Sequence, residues 1–343
     1  MVLKQIKVMR RKFTYPVIPT LFLALALAGC QQEPVPATGD VIRFSVNSVG
    51  IAPAPTKADP VIPTVQPPAT HLTDSGSEVK VWASLKTSQD QNWRYVFDPN
   101  PSIEITNGSS GWTYTGEKYW NRDAEYKFKA VYPADADVQS GSDVDLVTVN
   151  YAGIAQDLMV ASKQLTLAQV KPAKTVDLAF SHTCSAVRVY IVDPDRGEQD
   201  VRYQITEFKL QNLYMAGSLA YDWYKFLWTP SGARTTGYSW PETPGSSWNV
   251  PATYTAFTPW LFFIPQKLHQ DDGKHPAIAL SYTVGTQTID VTLPIDIFDN
   301  QDVEWETGKM YTYFVKIRPQ AVEMTVEWTD WIFVDNEDTL TIE

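Results

Sequence analysis

Cysteine is almost absent from this sequence, with Cys30 and Cys184 alone among 343 residues. A disulfide framework is therefore excluded, and at this length a hydrophobic core is large enough to supply the stability instead. Histidine is nearly as scarce: His71, His182, His269 and His275. They form no His-x-x-x-His pair, no Cys-x-x-Cys accompanies them, and neither a Gly-x-Ser-x-Gly elbow nor a glycine-rich phosphate loop appears. The acidic pairs Asp193/Asp195 and Asp299/Asp302 and the tail Asp335 to Asp338 miss the calcium-loop pattern, because Gly197 falls where an oxygen ligand belongs. The expectation is a protein without catalysis, cofactor or metal. Basic charge is also lacking: 28 Lys and Arg stand against 39 Asp and Glu, a net charge of −11. That balance argues against nucleic acid and against electrostatic attachment to anionic lipid. No apolar run approaches the roughly 20 residues of a membrane-spanning helix. No window carries a convincing 3.6-residue period, so helices beyond short turns are not expected.

What is present begins with Arg10, Arg11 and Lys12, followed by the short apolar run Leu21 to Leu27 and by Leu27-Ala28-Gly29-Cys30. Charge, apolar core and small residues in that order describe a secretory signal. A cysteine directly after Leu-Ala-Gly is the pattern of a bacterial lipoprotein signal. Residues 1–29 are expected to be removed and Cys30 to be acylated. Each buried lipid CH₂ contributes roughly 0.8 kcal/mol to membrane attachment. The signal holds five basic and no acidic residues, so the mature chain carries 23 basic against 39 acidic groups, or −16. Residues 30–40 read as a tether.

Beyond it, Ile42, Phe44 and Val46 alternate with Arg43, Ser45 and Asn47, a half-buried strand over 41–49. Residues 51–70 carry Pro53, Pro55, Pro60, Pro63, Pro67 and Pro68, which suits an extended linker and not a ladder. Lys57 is the sole basic residue in that stretch. Period-2 patterns then recur: Val79 to Leu85 with Trp82 as the outward exception, Trp93 to Phe97, and Trp112 to Tyr114 after a turn at Asn107-Gly108. Tyr126 to Tyr132, Val147 to Tyr151, Val176 to Phe180 and Val187 to Ile191 follow. Tyr203 and Ile205 change phase to Phe208 and Leu210, which predicts a bulge around Glu207. A hairpin around Gly285 and strands ending at Ile317 and Trp328 close the chain. Strands at this spacing predict an all-β, antiparallel sandwich architecture. Two sandwiches joined near residue 173, spanning 41–173 and 174–343, fit the length.

Residues 221–262 form an aromatic insertion in which Tyr221, Trp223, Tyr224, Phe226, Trp228, Tyr238, Trp240, Trp248, Tyr254 and Trp260 are interleaved with Pro, Gly and Ser. A lid burying these rings over one sheet is the first reading. A contact surface is the second, with Trp223, Trp228, Trp240 and Trp248 as candidate ligand contacts. His182 and Cys184 flank a strand start and read as a structural pair.

Several segments carry a family likeness: Lys118-Tyr119-Trp120 with Tyr126 through Pro133, Gln156 through Ala161, and Leu178 through Val187. Phe263-Ile264-Pro265-Gln266, Trp305 through Tyr313, and Val326-Glu327-Trp328 continue it in order. On these residues the chain resembles the fimbrillin-like proteins of Bacteroidales, the subunits and accessory lipoproteins of type V pili. The resemblance implies two tandem transthyretin-like β-sandwich domains, export to the outer membrane and cell surface, and assembly with other pilus subunits as a homo- or heteropolymer. It also implies donor-strand exchange: a protease cuts after a basic residue behind the first strand, and a neighbour's strand fills the groove. Here Lys57 would be the cut site and Ile42, Phe44 and Val46 the plug. A host or bacterial surface ligand is a further implied partner. The alternative reading is a lipid-anchored surface glycan-binding protein using the aromatic insertion.

Overall fold

The computed structural model describes residues 40–48, 71–196, 203–223, 225–269, 273–296, 304–318 and 321–331. The expected signal peptide, Cys30, Lys57, the proline-rich stretch, Tyr224 and the Asp299/Asp302 pair lie outside them. The described chain is nearly all β. Its strands in order are β1 (Arg43–Ser48), β2 (Glu78–Thr87), β3 (Arg94–Tyr95), β4 (Ser102–Gly108), β5 (Gly111–Thr113), β6 (Ala124–Tyr132), β7 (Asp137–Val138), β8 (Val147–Ala152) and β9 (Met159–Leu165). One helical turn, α1 (Leu167–Val170), precedes β10 (Thr175–His182) and β11 (Ser185–Val192). There follow β12 (Gln204–Gln211), β13 (Ala216–Tyr221), β14 (Phe226–Ser231), β15 (Tyr238–Trp240), β16 (Trp248–Asn249), β17 (Thr255–Ala256), β18 (Leu261–Phe263) and β19 (Gln266–Lys267). The last are β20 (Ala277–Val284), β21 (Gln287–Pro294), β22 (Glu304–Trp305), β23 (Lys309–Arg318) and β24 (Ala321–Asp330).

The largest sheet runs β3-β2-β4-β5-β1-β10-β9-β6, with β2 also paired to β6. Its inner face holds Phe44, Val81, Phe128, Leu178 and Phe180 in one apolar core. A second core gathers Val189, Phe208, Leu280, Trp305 and Tyr313 from β11, β12, β20, β22 and β23. Between them lies a third cluster that includes Trp82, Val131, Val149, Cys184, Leu219, Phe262 and Trp331. The sheet β14-β13-β8-β7 draws strands from both sides of residue 173, since Leu219 of β13 pairs with Val149 of β8.

Three details differ from the sequence reading and one agrees. Trp82, expected to point outward, is buried, because the back of β2 and β6 is covered by the third cluster. The turn expected at Asn107-Gly108 lies two residues later: Gly108 pairs with Gly111, which adopts φ +92°, open to glycine without a Cβ clash. Asn107 instead donates its amide to the carbonyls of Thr73 and Asp74 at 2.8 and 3.1 Å. Two pairings, β1 with β10 and β11 with β23, are parallel where antiparallel sheets were expected. Parallel neighbours need a long crossover, and the intervening chain provides one in each half. The bulge is where the phase change put it, with the β12–β20 register shifting between Ile205 and Glu207.

Candidate assembly site and the aromatic insertion

The alternation at 42–46 places Ile42, Phe44 and Val46 inward at 0%, 5% and 5% exposure, with Arg43 and Asn47 exposed. Phe44 meets Tyr114 and Phe128 edge-on, at ring-centroid distances of 5.8 and 6.0 Å. β1 lies in parallel along β10 from Arg43↔Thr175 to Ser48↔Phe180. On its other side β5 supplies a single antiparallel pair, Phe44↔Trp112. The approach to the strand is pinned by Ile42 N–H donating to Lys118 O at 2.8 Å and Trp120 N–H to Asp40 O at 3.0 Å. Arg122 adds an ion pair to Asp40 at 2.7 Å, and the Tyr114 hydroxyl donates to Ile42 O at 2.8 Å. Three apolar side chains at roughly 1.5–3 kcal/mol each give β1 about 5–9 kcal/mol of gross burial energy. The strand is thus an inserted element between two unequal neighbours.

The four candidate tryptophans are half-buried and each is engaged inside the protein. Trp223 Nε1 donates to Asp145 at 3.2 Å, and its ring lies 5.0 Å from the Lys129 ammonium. Trp228 Nε1 donates to Thr183 O at 2.9 Å, and its ring meets Tyr151 edge-on. Trp240 and Trp248 close on Phe257 at 5.3 and 5.0 Å, and Phe257 in turn packs on Phe208 of the second core. Phe226 and Leu227 on β14 are exposed.

Two buried polar arrangements lie beside the third cluster. Lys129 is fully enclosed, donating to Asp145 O at 2.6 Å and Tyr221 O at 2.9 Å. Burial pulls its ammonium down to about 8, against the opposing pull of Asp145, Asp222 and Asp143. Asp145 is held below the usual carboxylate range chiefly by its 2.7 Å hydrogen bond from Lys127. In the second arrangement His182 and Cys184 are both buried, and the partner of His182 is Asp157. His182 Nδ1 is paired with Asp157 at 2.6 Å, and its ring stacks on Trp331 at 3.7 Å. Burial raises Asp157 and the Cys184 thiol, which favours the protonated thiol over the thiolate. Neighbouring Tyr151 is likewise raised by burial.

Sequence reasoning missed a third grouping. His269 and His275, six positions apart and matching no ligand motif, come together with Asp296. The signal that finds them is tertiary: the end of β21 returns beside the start of β20.

The matched family model decides the relationship. Residues 67–331 match the fimbrillin-like family. The chain belongs to that family. The matched region begins after β1. Among solved structures, a fimbrial protein from Bacteroides vulgatus is 18% identical with a TM-score of 0.55, covering 74% of this chain and 92% of its own. A putative cell adhesion protein from Bacteroides ovatus is 15% identical with a TM-score of 0.51, covering 87% of this chain and 99% of its own. No curated protein matches the chain.

Proposed function

We propose that this fimbrillin-like protein is a non-enzymatic structural or adhesive subunit of a cell-surface fimbria, built as two transthyretin-like sandwiches and assembled by strand exchange. The observation that carries the reading is β1: a short strand whose three apolar side chains fill the first core while one neighbour contacts it at a single pair. In this reading the protein is exported as a lipoprotein acylated at Cys30 and cut after Lys57. Loss of β1 then bares the β10 edge and the pockets of Ile42, Phe44 and Val46. A strand from another subunit with the same alternation restores both the ladder and the burial. The internal engagement of Trp223, Trp228, Trp240 and Trp248 supports the lid over the glycan-binding alternative.

N-terminal sequencing of protein extracted from the cell surface tests the processing step. A chain starting at Ala58, in material that runs as an oligomer ladder on mildly denaturing gels, is expected. Chains that begin at Cys30 alone and run as monomers would sink the exchange mechanism.

A further inference from the structure

The grouping of His269, His275 and Asp296 has no part in strand exchange. Asp296 is buried, and its Oδ2 lies 2.6 Å from His275 Nδ1 and 3.5 Å from His269 Nδ1. Its other oxygen, Oδ1, has no hydrogen-bond partner among the described residues. A desolvated carboxylate with one oxygen unpaired is costly, and a cation bound at the carboxylate supplies positive charge that offsets that cost. Each ligand has its own backbone anchor at or beside it. Leu268, the residue before His269, is buried and accepts a hydrogen bond from Arg234 at 3.1 Å. The carbonyl of His275 accepts from Asn212 Nδ2 at 2.9 Å. Ile295, before Asp296, donates its N–H to Pro276 O at 2.9 Å, locking the end of β21 to the start of β20. Both imidazoles are half-exposed, which leaves a path for an ion from solvent.

We propose that His269, His275 and Asp296 bind a divalent transition-metal ion of the zinc class. One ligand atom from each residue already lies within 4.8 Å of the other two. Zinc bonds of about 2.0–2.2 Å place tetrahedral ligand atoms roughly 3.3 Å apart. The 3.5 Å contact needs almost no change, and the 2.6 Å hydrogen bond widens as zinc takes the place of the proton on Nδ1, the neutral ligand imidazole carrying its proton on Nε2 instead. Two imidazoles and one carboxylate suit zinc and its neighbours, whereas calcium and magnesium take oxygen donors. Three protein ligands leave a fourth position for water. The ion ties the loop before β20 to the strand end after β21.

The full chain, free of any histidine tag and stripped with EDTA, is titrated with zinc chloride by calorimetry. One saturating equivalent is expected, together with a rise in melting temperature. Asp296→Asn and His275→Gln should each weaken binding at least roughly ten-fold. His269→Gln, at a half-exposed position where misfolding is not expected, should do the same while melting like the parent in EDTA. His71→Gln, at the exposed His71–Asp74 pair outside the cluster, should leave the isotherm unchanged. Absence of saturable binding, undiminished binding in His269→Gln, or displacement of zinc by equimolar calcium would each overturn the assignment.

Discussion

β1 and β11 are alike on paper and differently held. Each is the first strand to enter its core, the first and the second respectively, and each pairs in parallel with a strand far along the chain. β11 is registered on β23 from Ala186↔Met310 to Val192↔Lys316, and on its other side it is covered by β17 and β18. Nearly all its side chains are buried, on both faces. β1 buries one face only, and opposite β10 it has the single pair with β5. A strand packed on both faces between two partners cannot leave without dissolving a core. One packed on a single face beside a short partner is the strand that the proposed exchange would remove and replace.

Substitutions at matched inward positions test this contrast directly. Val189→Asp puts a charge at a fully buried site on β11, and with no partner there it should cost more than about 4 kcal/mol and unfold the second core in a urea titration. Phe44→Ala on β1 should cost about 3–5 kcal/mol. Its effect should also stay local: hydrogen exchange should accelerate in β5 and β10 while β11 and β23 keep their protection. Equal loss of protection in β11 would show that the halves open together, and the idea of a separately removable strand would fail.

Much of this contrast was legible in the sequence. The alternation Ile42, Phe44, Val46 sets the face that enters the core, and the phase change after Ile205 locates the bulge, because local side-chain periodicity decides both. Trp82 was not legible. Whether the second face of β2 is solvated depends on β8 and β13 packing behind it, and no local pattern encodes that. The same limit hid Asp157 from His182 and Asp296 from His275, since hydrogen-bonded pairs joining distant strand ends leave no spacing to read. The half-burial of Trp240 and Trp248 likewise depends on where Phe257 sits, although their abundance in 221–262 was plain.

Lys129 sharpens the comparison from the back of the same sheet, where β6 meets the third cluster and not β1. Burial lowers its ammonium in the folded state to about 8, well below its unfolded value. Between pH 8 and about 10 the unfolded chain therefore binds more protons, so stability should rise with pH, by at most about 3 kcal/mol. Above about pH 10 the sign reverses, because burial raises Tyr126, Tyr221 and Tyr311 in the folded state while their unfolded counterparts ionise. Lys129→Met should flatten the rise between pH 8 and 10 in chemical-denaturation curves. Phe44→Ala should leave its slope intact, since β1 contacts the opposite face. A slope altered equally by both variants would mean that the two faces of the sheet are coupled.

The smallest expected effect separates lid from contact surface. Trp228→Phe keeps the ring near Tyr151 but removes the 2.9 Å hydrogen bond to Thr183 O, which should cost about 1 kcal/mol. A lid residue behaves in this way: stability falls slightly, and the tryptophan fluorescence of the parent does not respond to soluble sugars. If instead the parent's fluorescence were quenched by a glycan and the quench vanished in Trp228→Phe with stability unchanged, the ring would be reading a ligand. The aromatic insertion would then be a recognition surface, and β1 would no longer be the element that best explains the chain.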